Sequence, residues 1–174
     1  LQPKSIYTTW WGDRLLKTDV DDVSTFYNEK GKALDEKVLF TVEDINACLD
    51  EAQQGKVRNL IQVTIPYADR PEVFLRTPQS NLLYDWEQKK VVWSAPRVQG
   101  SSAHDFNFVS KSEAYVKDGN LFVTTADGQT HQVSKDGTRE LQYGLSVHRD
   151  EFGIHKDLQY FFFFKCLYKI IFPD

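Results

Sequence analysis

EVFLR at 72–76, NLLYDW at 81–86 and KVVW at 90–93 are answered about forty residues later by EAYVK at 113–117, NLFVTT at 120–125 and THQVS at 130–134. The offsets between the three pairs are 41, 39 and 40 residues, so the two stretches are copies of one unit. A further apolar stretch precedes each set, NLIQVTI at 59–65 and HDFNFV at 104–109, which predicts four short strands per unit in an up-and-down order. Alternation in DFNFV and in AYVKDGNLFV gives each strand one buried and one wetter face. The pairs Asp118-Gly119, Asp127-Gly128 and Asp136-Gly137 are expected to supply the positive φ that tight hairpins need. A repeating four-stranded unit of this length is a β-propeller blade.

Working outward, IYTTWW, VSTFYNEKGK and KVLFT near the N-terminus read as strands of a degenerate third copy. TVEDINACLDEA then predicts one helix over 42–53: Thr41 is the N-cap, Glu43 and Asp44 stand in the first turn, Val42, Ile45, Leu49 and Ala52 form an apolar stripe, and Gly55 ends it. The expected fold is all-β, a partial β-propeller of two to three four-stranded antiparallel blades with one short helix insertion, over residues 1–156. Two to three blades are too few to close a ring, since the smallest propellers use about four, so the chain reads as part of a larger protein.

Residues 157–174, DLQYFFFFKCLYKIIFPD, break the pattern with 12 apolar or aromatic residues and no alternation. Two readings stand side by side for this aromatic tail. It is out-of-frame sequence, as its Phe, Tyr, Lys and Ile content suggests, or a buried strand pair that packs on the last blade or on a second copy.

The composition narrows the function classes. The 174 residues are 41% hydrophobic, 26% charged and 14% aromatic, a globular balance rich in rings. The net charge of −4 offers no field for a phosphate backbone, so no nucleic-acid partner is expected. No apolar run reaches 18 residues, so no membrane span is expected. Cys48 and Cys166, far apart in the chain, exclude a disulfide scaffold or a cysteine zinc cluster and leave room for one bridge at most. The chain holds no methionine and starts at Leu1, which suggests that an upstream segment such as an export signal was removed.

No residue set for bond chemistry emerges. There is no G-x-S-x-G elbow; GLSVH at 144–148 has His148 where the closing glycine belongs, and Ser101 and Ser102 after Gly100 lack the elbow as well. His104, His131, His148 and His155 show no metal spacing, so neither a metal nor a cofactor is expected. HRDEFG at 148–153 resembles a kinase catalytic loop only superficially, with His155 where Asn is required and no glycine-rich loop ahead of it. Its adjacent acids, Asp150 and Glu151, are read from spacing alone as a solvated loop.

SEAYVKDGNLFVTTADGQTHQVSKDGTRELQYGLSVHRDEFGI at 112–154 resembles the N-terminal propeller of the dipeptidyl peptidase IV group of serine peptidases, within the prolyl oligopeptidase family. The group's blade A-Y-V-K-D-x-N-L-F-V corresponds to 114–123, its T-x-D-G to SKDG at 134–137, its Y-G to 143–144, and its pair of consecutive acids to Asp150-Glu151. The resemblance covers residues 1–156 and is sharpest over the last third. It implies that Glu151 and Asp150 bind the free N-terminus of peptide substrates, that Arg76 contacts a substrate carbonyl, and that the protein is periplasmic or secreted. It also implies partners: peptide N-termini, the remaining blades, and an α/β-hydrolase domain carrying Ser, Asp and His in a full-length relative. Two departures stand out. Many members have Glu-Glu where this chain has Asp150-Glu151, and HKDLQYFFFF replaces the W-S-P-x-G blade opening after Ile154.

The function expected is therefore that of a propeller fragment of a dipeptidyl peptidase IV-like exopeptidase, inactive alone. The alternative is a stand-alone peptide- or protein-interaction module. Exposed blade edges add the expectation of a homo-oligomer.

Overall fold

The structure is a computed structural model that describes residues 6–27, 30–33 and 36–144. It divides after Arg97 into two compact units.

The first unit holds two antiparallel sheets. One is a four-stranded meander of β1 (Tyr7–Trp11), β2 (Arg14–Thr18), β3 (Asp22–Tyr27) and β4 (Val38–Thr41). The other has three strands, β5 (Glu72–Arg76), β6 (Ser80–Asp85) and β7 (Lys90–Pro96). β2 went unread in the sequence because RLLKT looks unremarkable beside IYTTWW, yet Gly12 at φ 57° turns Trp11 back onto Arg14 in a two-residue hairpin. Leu16, Val23, Phe40, Val73, Leu82 and Tyr84 form the center of this unit's core, with Phe40 stacked on Trp86 at 5.2 Å. Every residue of β6 is buried, whereas β7 alternates along its length.

NLIQVTI is not the fourth strand of the second sheet. It meets that sheet through one bridge, Thr64 to Phe74, while Leu60 and Ile61 are bonded elsewhere. The Leu60 amide donates to the Val20 carbonyl at 3.0 Å, and the Ile61 carbonyl accepts from the Thr18 hydroxyl at 2.7 Å. This binds the stretch to the first sheet and buries Leu60 completely.

The helix expected over 42–53 is two short ones, α1 (Val42–Asn46) and α2 (Glu51–Gln54). Thr41 and Asp44 form the capping box of α1, each bonding the other's backbone amide. The interruption follows from Asn46. Its side chain makes a two-way bond with the backbone of Val57, at 3.0 and 2.9 Å, and draws the later chain against the end of α1. Asp50 then caps α2 through the amides of Ala52 and Gln53.

The second unit is a four-stranded meander of β8 (Ser102–Asn107), β9 (Ser112–Lys117), β10 (Asn120–Thr124) and β11 (Thr130–Gln132). Ala114, Leu121 and Val123 form its core, with Tyr143 packed against them. Three hairpin details were hidden in the sequence. In the β6–β7 and β8–β9 turns the side chain of Asp85 or Asn107 accepts two following amides, and Lys89 or Lys111 adopts positive φ four residues on, at 50° and 52°. Asp118 and Gly119 both have positive φ, as expected, and so does Gly128. Gly137 does not. Its role is close approach, since an added Cβ would lie 2.4 Å from the Gly119 carbonyl oxygen.

Candidate functional site

The segment from Ser134 to Tyr143 leaves the sheet after β11 and is fastened to the β9–β10 turn. Asn120, the first residue of β10, is 9% exposed, and its side-chain amide makes three hydrogen bonds. Nδ2 donates to the Asp118 carbonyl at 3.2 Å, while Oδ1 accepts from the Ser134 hydroxyl at 3.1 Å and from the Gly137 amide at 2.8 Å. The Ser134 oxygen in turn accepts from the Leu121 amide. At the far end of the segment the Tyr143 amide donates to the Gly119 carbonyl at 2.9 Å, and its hydroxyl donates to Asp136 Oδ1 at 2.8 Å. Accepting that hydrogen, the Asp136 carboxylate holds the Tyr143 phenol above its ordinary range. The two motif fragments noted in the sequence, SKDG and YG, are thus interlocked around one turn.

Asp150 and Glu151 lie outside the described residues. Arg76 ends β5 on an exposed position, its guanidinium 5.4 Å from the center of the Phe74 ring. Among the described residues no group of three or more His, Cys, Asp or Glu is placed to hold a metal. No helix among them is long and apolar enough to cross a membrane. A surface pocket of about 320 Å³ in the first unit lies between α2 and the β5–β6 turn, but its Lys56 is already paired with Glu51 at 2.7 Å.

One side-chain set escaped the sequence reading. His104 Nε2 lies 3.1 Å from Ser101 Oγ and His104 Nδ1 lies 2.9 Å from Glu113 Oε1, the order of contacts found in Ser-His-acid catalysis. Hydrogen-bond accounting removes that reading. The Ser101 hydroxyl is 2.5 Å from the Val98 carbonyl, which can only accept, so the hydroxyl hydrogen lies there. With that hydrogen on Val98, Ser101 has none to give to Nε2. The set is a staple for a bulge in β8, where Ala103 at φ 49° and His104 occupy the interval between the pairs Ser102–Val116 and Asp105–Ala114.

Antiparallel meanders repeating every forty residues define the class: blades of a β-propeller. A family model described as the dipeptidyl peptidase IV (DPP IV) N-terminal region matches residues 69–160, more than half of the 174, and the chain belongs to that family. It is similar to the crystal structure of a protein described as a dipeptidyl aminopeptidase IV from Bacteroides ovatus, with 27% identity and a TM-score of 0.67 over 86% of this chain. It is also similar to dipeptidyl peptidase 4 of Porphyromonas gingivalis, with 20% identity and a TM-score of 0.49 over 89% of this chain. The chain spans 21% and 23% of the length of those two proteins.

Proposed function

We propose that this chain carries the substrate-recognising part of a dipeptidyl peptidase IV-like serine exopeptidase, and that Glu151 and Asp150 bind the free N-terminus of the peptide. The observation that supports this most directly is that the family match over 69–160 runs through both acids. A peptide α-ammonium has a reference pKa of about 7.7–8, so it is mostly cationic at neutral pH and offers three donors. Two carboxylates can each accept a charge-assisted bond from it, worth roughly 1.5–3 kcal/mol. A chain spans about 3.3–3.6 Å per residue, so an N-terminus held roughly 7 Å from a nucleophile leaves two residues before the scissile bond. That is dipeptide release. The acids contribute positioning, and bond cleavage belongs to a hydrolase domain of the full-length type. Arg76 is assigned to the substrate carbonyl, and the location is periplasmic or secreted.

The test is calorimetric titration of the chain with a Gly-Pro-headed peptide and its N-acetylated twin. Preference for the free N-terminus is expected, falling by roughly 10- to 150-fold in Glu151→Gln, the loss of one such bond. The preference should also fade above about pH 8 as the ammonium deprotonates. Equal binding of the two peptides by the unaltered chain would overturn the assignment.

A further inference from the structure

The pocket between α2 and the β5–β6 turn is framed by bonds on both of its sides. On one side the backbone of Val57 makes two bonds with the Asn46 side chain, at 2.9 and 3.0 Å, and the Leu60 amide is tied to the Val20 carbonyl. Arg58 therefore leaves a stretch of chain that is fixed before and after it. On the other side the buried Thr77 hydroxyl bonds the Gln54 carbonyl and accepts from the amides of Gln79 and Ser80. Arg97 closes the same turn, its amide donating to the Gln79 carbonyl at 2.7 Å and its Nη1 to the Thr77 carbonyl at 3.1 Å.

Between these frames one wall is bare backbone. Gly55 has φ 73° and ψ −167°, a conformation essentially confined to glycine. A Cβ there would lie 2.0 Å from Gln79 Oε1, so any larger residue would displace the Gln79 side chain that lines the pocket. The apolar lining comes from Val57, 6% exposed, and Pro78. The charges do not cancel. Lys56 and Glu51 pair at 2.7 Å, whereas Arg58, also in the lining, is exposed and makes no ion pair among the described residues. The Gln79 amide adds two further N–H donors beside that guanidinium.

We propose that this pocket binds a small monocarboxylate with an apolar body, the group presented by a peptide C-terminus or by an N-acylated amino acid. The Arg58 guanidinium is a planar fork that matches a carboxylate, and it reaches the ligand without having to break an ion pair. Val57 and Pro78 give the apolar body a surface to cover. A phosphate dianion fits less well, because Glu51 repels a second negative charge and the apolar lining stays uncovered. At about 320 Å³ the volume lies at the small end of ligand sites, roughly 300–1,000 Å³. Because both frames are fixed by bonds within the chain, little ordering is left to be done at binding. The site is separate from Asp150 and Glu151 and does not rest on the recognition of a free N-terminus.

The experiment is a titration of the isotope-labelled full chain with N-acetyl-leucine, N-acetyl-leucinamide and acetate, followed through the backbone amide NMR signals, in the unaltered chain and in Arg58→Ala. Arg58 is exposed and makes no ion pair among the described residues, so the variant is expected to keep its fold, as circular dichroism melting will show. N-acetyl-leucine is expected to shift the amides of Gly55, Lys56, Val57, Arg58 and Gln79 and to bind at least about fivefold more tightly than the leucinamide or acetate. In Arg58→Ala its advantage over the leucinamide should fall at least about threefold. N-acetyl-Gly-Gly-Leu, with its N-terminus blocked, separates the two sources. Tighter binding than N-acetyl-leucine assigns the pocket to peptide C-termini, and equal or weaker binding assigns it to a single acylated residue. Equal affinity for N-acetyl-leucine and its amide overturns the proposal, as does an undiminished preference in Arg58→Ala. Acetate binding as tightly as N-acetyl-leucine overturns it too, since the apolar lining would then contribute nothing.

Discussion

Gly137 and Gly119 meet backbone to backbone, so closely that a methyl group on Gly137 would stand 2.4 Å from the Gly119 carbonyl oxygen and 2.8 Å from Asn120 Cγ. Neither neighbor is the free end of a flexible side chain, so the segment 134–143 can accommodate a methyl only by lifting off the turn. Gly137→Ala is expected to cost about 2–3 kcal/mol, in the range of overpacked sites. Gly128→Ala is the contrast: nothing lies within 4 Å of its added Cβ, and only the strain of φ 83° applies, about 1–2 kcal/mol. Urea unfolding of both variants checks the order, and a milder effect at Gly137 than at Gly128 would contradict the close contact.

Tyr84 is fully buried beside Phe40, and its hydroxyl has no hydrogen-bond partner. Tyr84→Phe is therefore expected to be neutral or stabilising by up to about 1 kcal/mol, since it removes an unpaid desolvation without leaving a cavity. Burial pushes the Tyr84 phenol up from 10.0 to about 12. The folded state thus disfavours the anion, so stability is complete below the unfolded value near 10 and declines as pH rises toward 12. The unaltered chain should lose more stability than Tyr84→Phe between those pH values in paired denaturation curves.

Asp44 is expected to matter more than its ion-pair partner. Its carboxylate bonds the Thr41 amide and Lys89, and the Lys89 bond is the main reason its pKa lies below the usual carboxylate range. Lys89 is 65% exposed, so the pair itself contributes less than about 1 kcal/mol. Asp44→Ala removes the capping box as well and should cost about 1–2 kcal/mol, against under 1 for Lys89→Ala. The sign with pH is set by the depressed value: the contribution is present above the unfolded value near 3.8 and disappears as pH falls through the folded one. Acid denaturation midpoints of the two variants decide between them.

Peptide-bond hydrolysis is not expected from these 174 residues, which contain no G-x-S-x-G string. Incubation with Gly-Pro p-nitroanilide should give no turnover. A fluorophosphonate should leave Ser101 unlabeled, because its hydroxyl donates to the Val98 carbonyl instead of to His104 Nε2. Labeling at Ser101, located by mass spectrometry, would overturn that assignment of hydrogens.

The strands at 72–76, 80–85, 90–96, 112–117 and 120–124 were legible in the sequence because their signals are local. Alternation, ring content and Asp118-Gly119 act over a few residues, and the forty-residue echo multiplies them. The proposal for the acid pair comes only through resemblance, since adjacent acids have no distinctive spacing of their own. What stayed hidden depends on partners far away in the chain. NLIQVTI has strand composition, but its Leu60 amide and Ile61 carbonyl bond Val20 and Thr18. The stripe from Val42 to Ala52 has helical spacing, but Asn46 bonds Val57 and the helix breaks. Asp136-Gly137 looks like a third positive-φ turn, yet Gly137 is glycine because Gly119 leaves no room for a side chain. Local periodicity and turn chemistry determined that this chain makes antiparallel blades. Which stretch joins which sheet, and which glycine serves contact instead of conformation, was decided by tertiary structure, because a backbone group bonds whichever partner the folded chain brings within 3 Å.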